Sequence, residues 1–503
     1  MTVVSVSAAI LHFIVFSYSK DSDVYLFLAI SSLILFFHAL CCIWLFKGNL
    51  IITFRYLLLF IPMILTSITW LLWKGEVYLS PWGLPYQTIT TTSSVVMSGA
   101  LSVFGCSAGW FAGFIKKTKF DFNLFLRVIE RKISIILWSG LVMSLFWSGL
   151  WLLLAGGPLG GGRTYAEDVC GGWVTRRLGF QLNVFGVFWS IGIALIMIAL
   201  QYVTNWKKTT FVLGVISLLF AISTGARCET LLPLLLLVFY FLSTHTYCFR
   251  CIHGASVNTL SFPGHHAGAY SNINSRYYLL LVTLMITGFL FSNGIRYWRA
   301  SGSQSFAETQ MDVLKDKDNL LFLHVVDKYV GDKKVLNIET AWSMIGGLYG
   351  MIVKTSSGEM NFLLGKSYFN YFLSLPPAFL GLPRPQGLEW QTSVRSTLMS
   401  MGGIFETAEA YANFGYFGCF IISFFLSFFF SWLLRRVHEK NSLFFLTWYL
   451  VNGLMLARGV WYQNFAFFRI ASLFCLIWIM LRLVDERYIH YNPHKLCSYH
   501  FET

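Results

Sequence analysis

Charge is scarce in this sequence, and its scarcity excludes most soluble folds. Asp, Glu, Lys and Arg make up 12% of the 503 residues, against about 25% in an ordinary soluble domain. By contrast 56% of residues are hydrophobic and the mean hydropathy is +0.63. A chain this apolar has lipid as its solvent. No secretory leader is expected. The apolar start, Thr2 to Ser19, has no basic segment before it and no A-x-A cleavage site after it, so it is expected to be a retained first span. Nor do the ten cysteines form a disulfide framework. Cys41, Cys42, Cys106, Cys419 and Cys475 sit inside apolar runs, where cysteine behaves as a small hydrophobe. Cys170 and Cys228 are the pair expected outside, where oxidation can persist.

What is abundant is aromatic: 48 Phe, 24 Tyr and 18 Trp suit lipid-facing helices with Trp and Tyr belts at the interfaces. No nucleic-acid partner is expected, although the formal charge is +14. Apolar runs of about 20 residues, the length a membrane helix needs, lie near 2–19, 24–46, 56–73, 95–115, 133–155, 182–204, 211–225, 230–247, 279–293, 411–433, 443–458 and 463–484. The expected fold is therefore an all-α polytopic membrane protein of about twelve spans with one long external loop. Its divisions are a membrane domain over 1–293, a mostly helical loop domain over 294–410, C-terminal spans over 411–484 and a tail over 485–503.

Every second connection is basic. Lys47 and Arg55, the 116–132 cluster, Lys207 with Lys208, Arg250 with Arg276, Arg435, Arg436 and Lys440, and the tail all carry cations, while the alternate connections hold few. Cytoplasmic loops gather Lys and Arg, so both termini are expected in the cytoplasm and the 294–410 segment outside. Residues 117–133 read as an interfacial amphipathic helix. Cys248-x-x-Cys251 and the nearby His253, His265 and His266 lack zinc spacing.

Long connections are where sites and lids reside. Within 294–410, Ser305-x-x-Glu308 has the form of a capping box opening a helix through Tyr329. A second helix over 338–353 is apolar enough to lie on the membrane surface, and a third from Asn361 should end at Pro376-Pro377. The AFLGLPRPQGLEW loop that follows carries Arg384 between two prolines.

Arg227 and Arg458 each stand in a short turn between apolar runs. A cation near membrane depth is costly, so such arginines either snorkel to headgroups or hold an anion. Arg227, Arg296, Arg299, Arg384 and Arg458 all fall outside on this topology. A guanidinium fork fits phosphate oxygens in bidentate fashion, so a lipid pyrophosphate with its tail between helices meets the pattern.

These residues resemble the Wzy-type O-antigen polymerases, including the enterobacterial common antigen branch. The likeness rests on Gly225-Ala226-Arg227 after an apolar run, LPPAFLGLPRP at 375–385, EAYANFGYFG at 409–418 opening a span, and LARG at 456–459. It implies a membrane-embedded glycosyltransferase fold of the GT-C-like type in a bacterial inner membrane with its long loop periplasmic. The implied activity is transfer of a growing glycan from undecaprenyl pyrophosphate onto the next lipid-linked oligosaccharide repeat unit, building O-antigen or a related surface polysaccharide. Beyond lipids and the lipid-linked oligosaccharide, implied partners are a chain-length-regulating co-polymerase and a flippase. Two other functions remain open: an O-antigen ligase using the same donor, and a lipid-linked oligosaccharide flippase, against which the long loop argues.

Expulsion of pyrophosphate calls for charge stabilisation, assigned to Arg227, Arg384 and Arg458, with Arg296 in reserve. The acceptor hydroxyl benefits from a general base. Glu409 and Glu406 are the candidates, near the outer face and three residues apart, although carboxylates there also suit a helix N-terminus. Tyr411 and Asn413 are candidates for binding sugar, unless Tyr411 is interfacial belt. His324 is a further one, unless it simply lies on a helix face. Asp21-Ser22-Asp23 and Asp316-Lys317-Asp318 match a metal-binding D-x-D, but such pairs are common in polar turns, and neither metal nor cofactor is expected.

Overall fold

The computed structural model describes residues 1–19, 23–46, 50–73, 89–113, 134–146, 191–192, 195–196, 325–330, 333–380, 399–400, 403–440, 443–462 and 464–491. Four helices open the chain: α1 (Thr2–Tyr18), α2 (Val24–Phe46), α3 (Leu50–Trp73) and α4 (Ile89–Gly113). Residues 134–146 are also helical. The later part holds α5 (Glu339–Ser356), α6 (Lys366–Leu380), α7 (Glu406–Lys440), α8 (Leu443–Tyr462) and α9 (Phe465–Tyr491). Uncharged runs such as α2 become helices because only a helix or a closed barrel satisfies every backbone polar group within lipid. Among the described residues, Val24–Phe46, Ile51–Ile68, Thr90–Gly113 and Glu406–Val437 are long and apolar enough to cross a membrane.

Eight of the twelve expected spans fall on helices, the one near 133–155 as far as Phe146. Those near 211–225, 230–247 and 279–293 lie outside the described residues, as does nearly all of 182–204.

Three local expectations are corrected. Helix was expected through Tyr329, but β1 (Val325–Val330) pairs antiparallel with β2 (Lys333–Ile338), Val330 opposite Lys333. The β-branched valines favour strand, and Gly331-Asp332 between the strands is a two-residue hairpin signal. A second pair, β3 (Met399–Ser400) with β4 (Gly403–Ile404), further qualifies the all-α reading. α5 does not lie on the membrane surface either: Ile345, Leu348, Met351 and Ile352 are buried, and Tyr349 Oη donates to Thr92 Oγ1 of α4 at 2.8 Å. Finally, α6 starts at Lys366 and runs through Pro376-Pro377 to Leu380. Those prolines cannot donate to the carbonyls of Phe372 and Leu373 four residues earlier, and the helix stops three residues after them.

Small residues set the closest helix contact. Gly105, Gly109 and Gly113 recur every fourth residue along α4, and a Cβ on them would meet the Phe420 carbonyl oxygen at 2.3 Å, the Phe424 carbonyl oxygen at 2.1 Å and Ser431 Cβ at 2.6 Å, respectively. α4 and α7 thus touch backbone to backbone, which is how helices associate where lipid removes the usual hydrophobic drive. A second tie repairs a proline. Pro62 inside α3 has no N–H to give the carbonyl four residues earlier. That carbonyl, on Leu58, instead accepts the indole N–H of Trp461 in α8 at 3.2 Å.

Two variants test these contacts. Gly109→Leu is expected to force α4 from α7 and destabilise the protein by about 3 kcal/mol, the upper end of the overpacking range, read as a lower thermal midpoint in detergent. Trp461→Phe strands the Leu58 carbonyl at a cost of about 1–3 kcal/mol, and adding Pro62→Ala should recover most of it by restoring the helical N–H.

Candidate functional site

The segment that opens α7 turns back on itself. α7 is broken where Phe414 (φ −140°, ψ 15°) and Gly415 (φ 63°, ψ −149°) leave helical geometry, the latter in the left-handed region that glycine enters without strain. Residues 406–413 then lie antiparallel along 416–423. Glu406 accepts from Ser423 Oγ at 2.9 Å, Cys419 Sγ approaches the Thr407 carbonyl at 3.7 Å, and Gly418 leaves no room for a side chain beside the Ala410 carbonyl. Ser423 stands eight residues beyond Gly415, so Glu406 lies about 12 Å along the helix from the break at 1.5 Å per residue.

Glu406 meets Arg55 there. The guanidinium donates from Nη2 to Oε1 at 2.7 Å and from Nη1 to Oε2 at 2.9 Å, with both side chains buried. Its other donors reach the Leu456 carbonyl at 3.1 Å, Ser423 Oγ at 3.4 Å and Ser427 Oγ at 3.3 Å. All five guanidinium N–H groups therefore have acceptors. Asn464 Nδ2 adds a donor to Glu406 Oε2 at 3.3 Å. The cluster joins α3, both limbs of α7, α8 and the entry to α9. Arg55, counted from sequence among the cytoplasmic loop cations, belongs instead to the interior of α3.

The free end of the short limb is tied down by backbone. Helix C-termini leave carbonyls unpaired. Here Leu363 N–H donates to Ala412 O at 2.9 Å and Leu364 N–H to Asn413 O at 3.0 Å. Asn413, expected to touch glycan, has its amide committed to the same junction. Nδ2 donates to Ser367 Oγ at 2.7 Å and to the Glu409 carbonyl at 2.8 Å, and Oδ1 accepts from Gly365 N–H at 3.0 Å. Tyr411 is buried between the rings of Phe362 and Tyr416, at 6.0 and 5.4 Å.

Glu409 faces another way. It is fully buried, and its Oε1 accepts from Tyr371 Oη of α6. Its Oε2 makes no hydrogen bond among the described residues, although the Ser367 hydroxyl also faces the carboxylate. Tyr368 stands beside Tyr371 with ring centroids 5.9 Å apart. Burial first, then the charges of Glu409 and Glu406, push the Tyr368 phenol well above its ordinary range, so it remains a donor.

The two expected carboxylates thus divide: Glu406 is held in an ion pair and Glu409 keeps an open oxygen. Arg458 lies in α8, two residues past the Leu456 carbonyl that Arg55 grips. Arg227, Arg296, Arg384 and His324 lie outside the described residues. Arg55, Tyr368, Tyr371 and Asn464 were missed in sequence. An arginine inside an apolar run was the signal available for Arg55; the other three carry none.

Removing one partner of a buried ion pair costs about 3–5 kcal/mol, because the other charge is left uncompensated. Arg55→Met and Glu406→Leu should each lower the unfolding midpoint sharply. The double variant is expected to be more stable than either single one, as measured by a thermal double-mutant cycle in detergent.

No curated protein matches the chain in sequence, and no solved structure matches it. A family model does: the resemblance read from the residues is borne out by that of O-antigen polysaccharide polymerase Wzy, which this chain matches over residues 267–486, a stretch taking in α5 to α8 and most of α9.

Proposed function

We propose that this chain is a polysaccharide polymerase that transfers a growing glycan from undecaprenyl pyrophosphate onto the next lipid-linked oligosaccharide repeat unit at the periplasmic face of a bacterial inner membrane. The family match supports the polymerase role. The observation that carries the mechanism is Glu409, a buried carboxylate fixed by Tyr371 at one oxygen and open at the other. A general base needs a free acceptor oxygen within reach of the proton it removes.

In the reaction the acceptor hydroxyl oxygen bonds to the anomeric carbon of the donor glycan, and the bond from that carbon to the carrier pyrophosphate breaks. The proton passes to Glu409, and the pyrophosphate leaves with the bonding electrons. Arg227, Arg384 and Arg458, with Arg296 in reserve, would neutralise the departing charge. Each well-aimed donor of this kind contributes about 10²–10³ in rate. Glu406 is assigned to positioning, since its oxygens are already held by Arg55, Ser423 and Asn464. Tyr411, Asn413 and His324 stay with the acceptor side, Asn413 acting through the junction it fastens.

Purified protein given lipid-linked repeat units is expected to elongate them, and failure to do so would overturn the assignment. Loss of the gene should leave lipid A capped with a single repeat unit, whereas loss of a ligase leaves none. Glu409→Gln should slow chain growth by about 10²-fold or more with normal membrane insertion. Arg458→Ala should abolish the polymer ladder, and Arg458→Lys should restore it in part, since a point charge cannot make the bidentate pair.

A further inference from the structure

Three buried polar atoms on or beside the two glutamates lack partners among the described residues. Glu409 Oε2, Tyr368 Oη and Asn464 Oδ1 are shielded from solvent and make no hydrogen bond among the described residues. Glu409 and Asn464 are wholly buried. Buried polar groups are normally paired, and an unpaired one costs about 1–3 kcal/mol. Each of the three therefore keeps hydrogen-bonding capacity for a further partner.

Their arrangement is fixed by groups that are paired. Tyr371 orients Glu409 through Oε1, and Glu406 orients Asn464 through Nδ2, so each presents its remaining oxygen. Phe468, one turn into α9 from Asn464, holds both tyrosines, with ring centroids 6.4 Å from Tyr368 and 5.6 Å from Tyr371. Asn464 Oδ1 packs against Gly459, where only glycine fits, since a Cβ there would stand 2.3 Å from the oxygen.

The chemistry of the three atoms selects the ligand. Two are acceptors and one of those is a carboxylate oxygen, so phosphate is repelled. The third is a protonated phenol with a hydrogen to give. A sugar hydroxyl both donates and accepts, which answers this set. We infer that Tyr368, Glu409 and Asn464 form the subsite that seizes hydroxyls of the acceptor sugar, Tyr368 donating to the attacking oxygen while Glu409 Oε2 accepts its hydrogen and Asn464 Oδ1 accepts from a neighbouring hydroxyl. This rests on the polymerase reading and adds the residues that choose and aim the acceptor.

Tyr368→Phe is the discriminating variant, because it deletes a hydroxyl that makes no internal bond and so leaves the fold intact. The assay supplies a fixed lipid-linked donor unit and a rising concentration of repeat-unit oligosaccharide carried on a short alkyl chain as acceptor. The expected result is an unchanged thermal midpoint with KM for the acceptor at least tenfold higher, and no change in KM for the donor. Unchanged acceptor kinetics would overturn the subsite and leave the polymerase reading standing, meaning that water alone fills the space. A lowered midpoint would also overturn it, since the hydroxyl would then be a structural bond. A wild-type protein that elongates nothing would remove both readings.

Discussion

One ion pair inside the membrane-embedded bundle, Arg55 with Glu406, constrains everything around it. Taking both charges out of water costs several kcal/mol for each, and the attraction between them repays that only when every remaining donor and acceptor is also met. Here they are met by two serines of α7, a carbonyl of α8 and the Asn464 amide. The pair therefore holds only when four helices are already in register. It fixes the short limb of α7, and with it the direction in which Glu409, one turn further on, must point.

Irregular backbone at membrane depth is tolerated where protein covers it, and the broken helix obeys that rule at both ends. Its deep end is sealed by the charge cluster and by Thr407, whose hydroxyl donates to Ser102 of α4 at 3.0 Å. Its other end is sealed by backbone donors from 363–365 and by the Asn413 amide. Between the seals one carboxylate is neutralised and the next is left with an open oxygen. Two glutamates three residues apart acquire different surroundings because one finds a guanidinium and the other a phenol.

Hydropathy made the bundle legible, since runs of uncharged residues have no other solution in lipid, and α2 was read to the residue. The glutamates were legible too, from acidic residues at the start of an apolar span. Arg55 was not. Counting cations between apolar runs treats each as a signal of orientation and cannot sense a partner 351 residues away. Asn413 was read as a sugar ligand because nothing in sequence reveals that a loop from 363–365 docks beside it. Tyr368 sits among other aromatic residues and Asn464 beside Gln463, so neither stands out; burial without a partner singles them out, and burial is a property of the fold. The expected convergence of Arg227, Arg384 and Arg458 draws on residues largely outside the described ones.

The reversal at Gly415 also makes the short limb depend on its neighbours. The limb carrying Glu406 precedes its span in the chain yet lies alongside it, and its acid is stable there only opposite a guanidinium supplied by α3. The limb fits as a plug in a socket whose walls are α3, the rest of α7, α8 and the entry to α9, and loosening any one wall leaves the acid short of a partner.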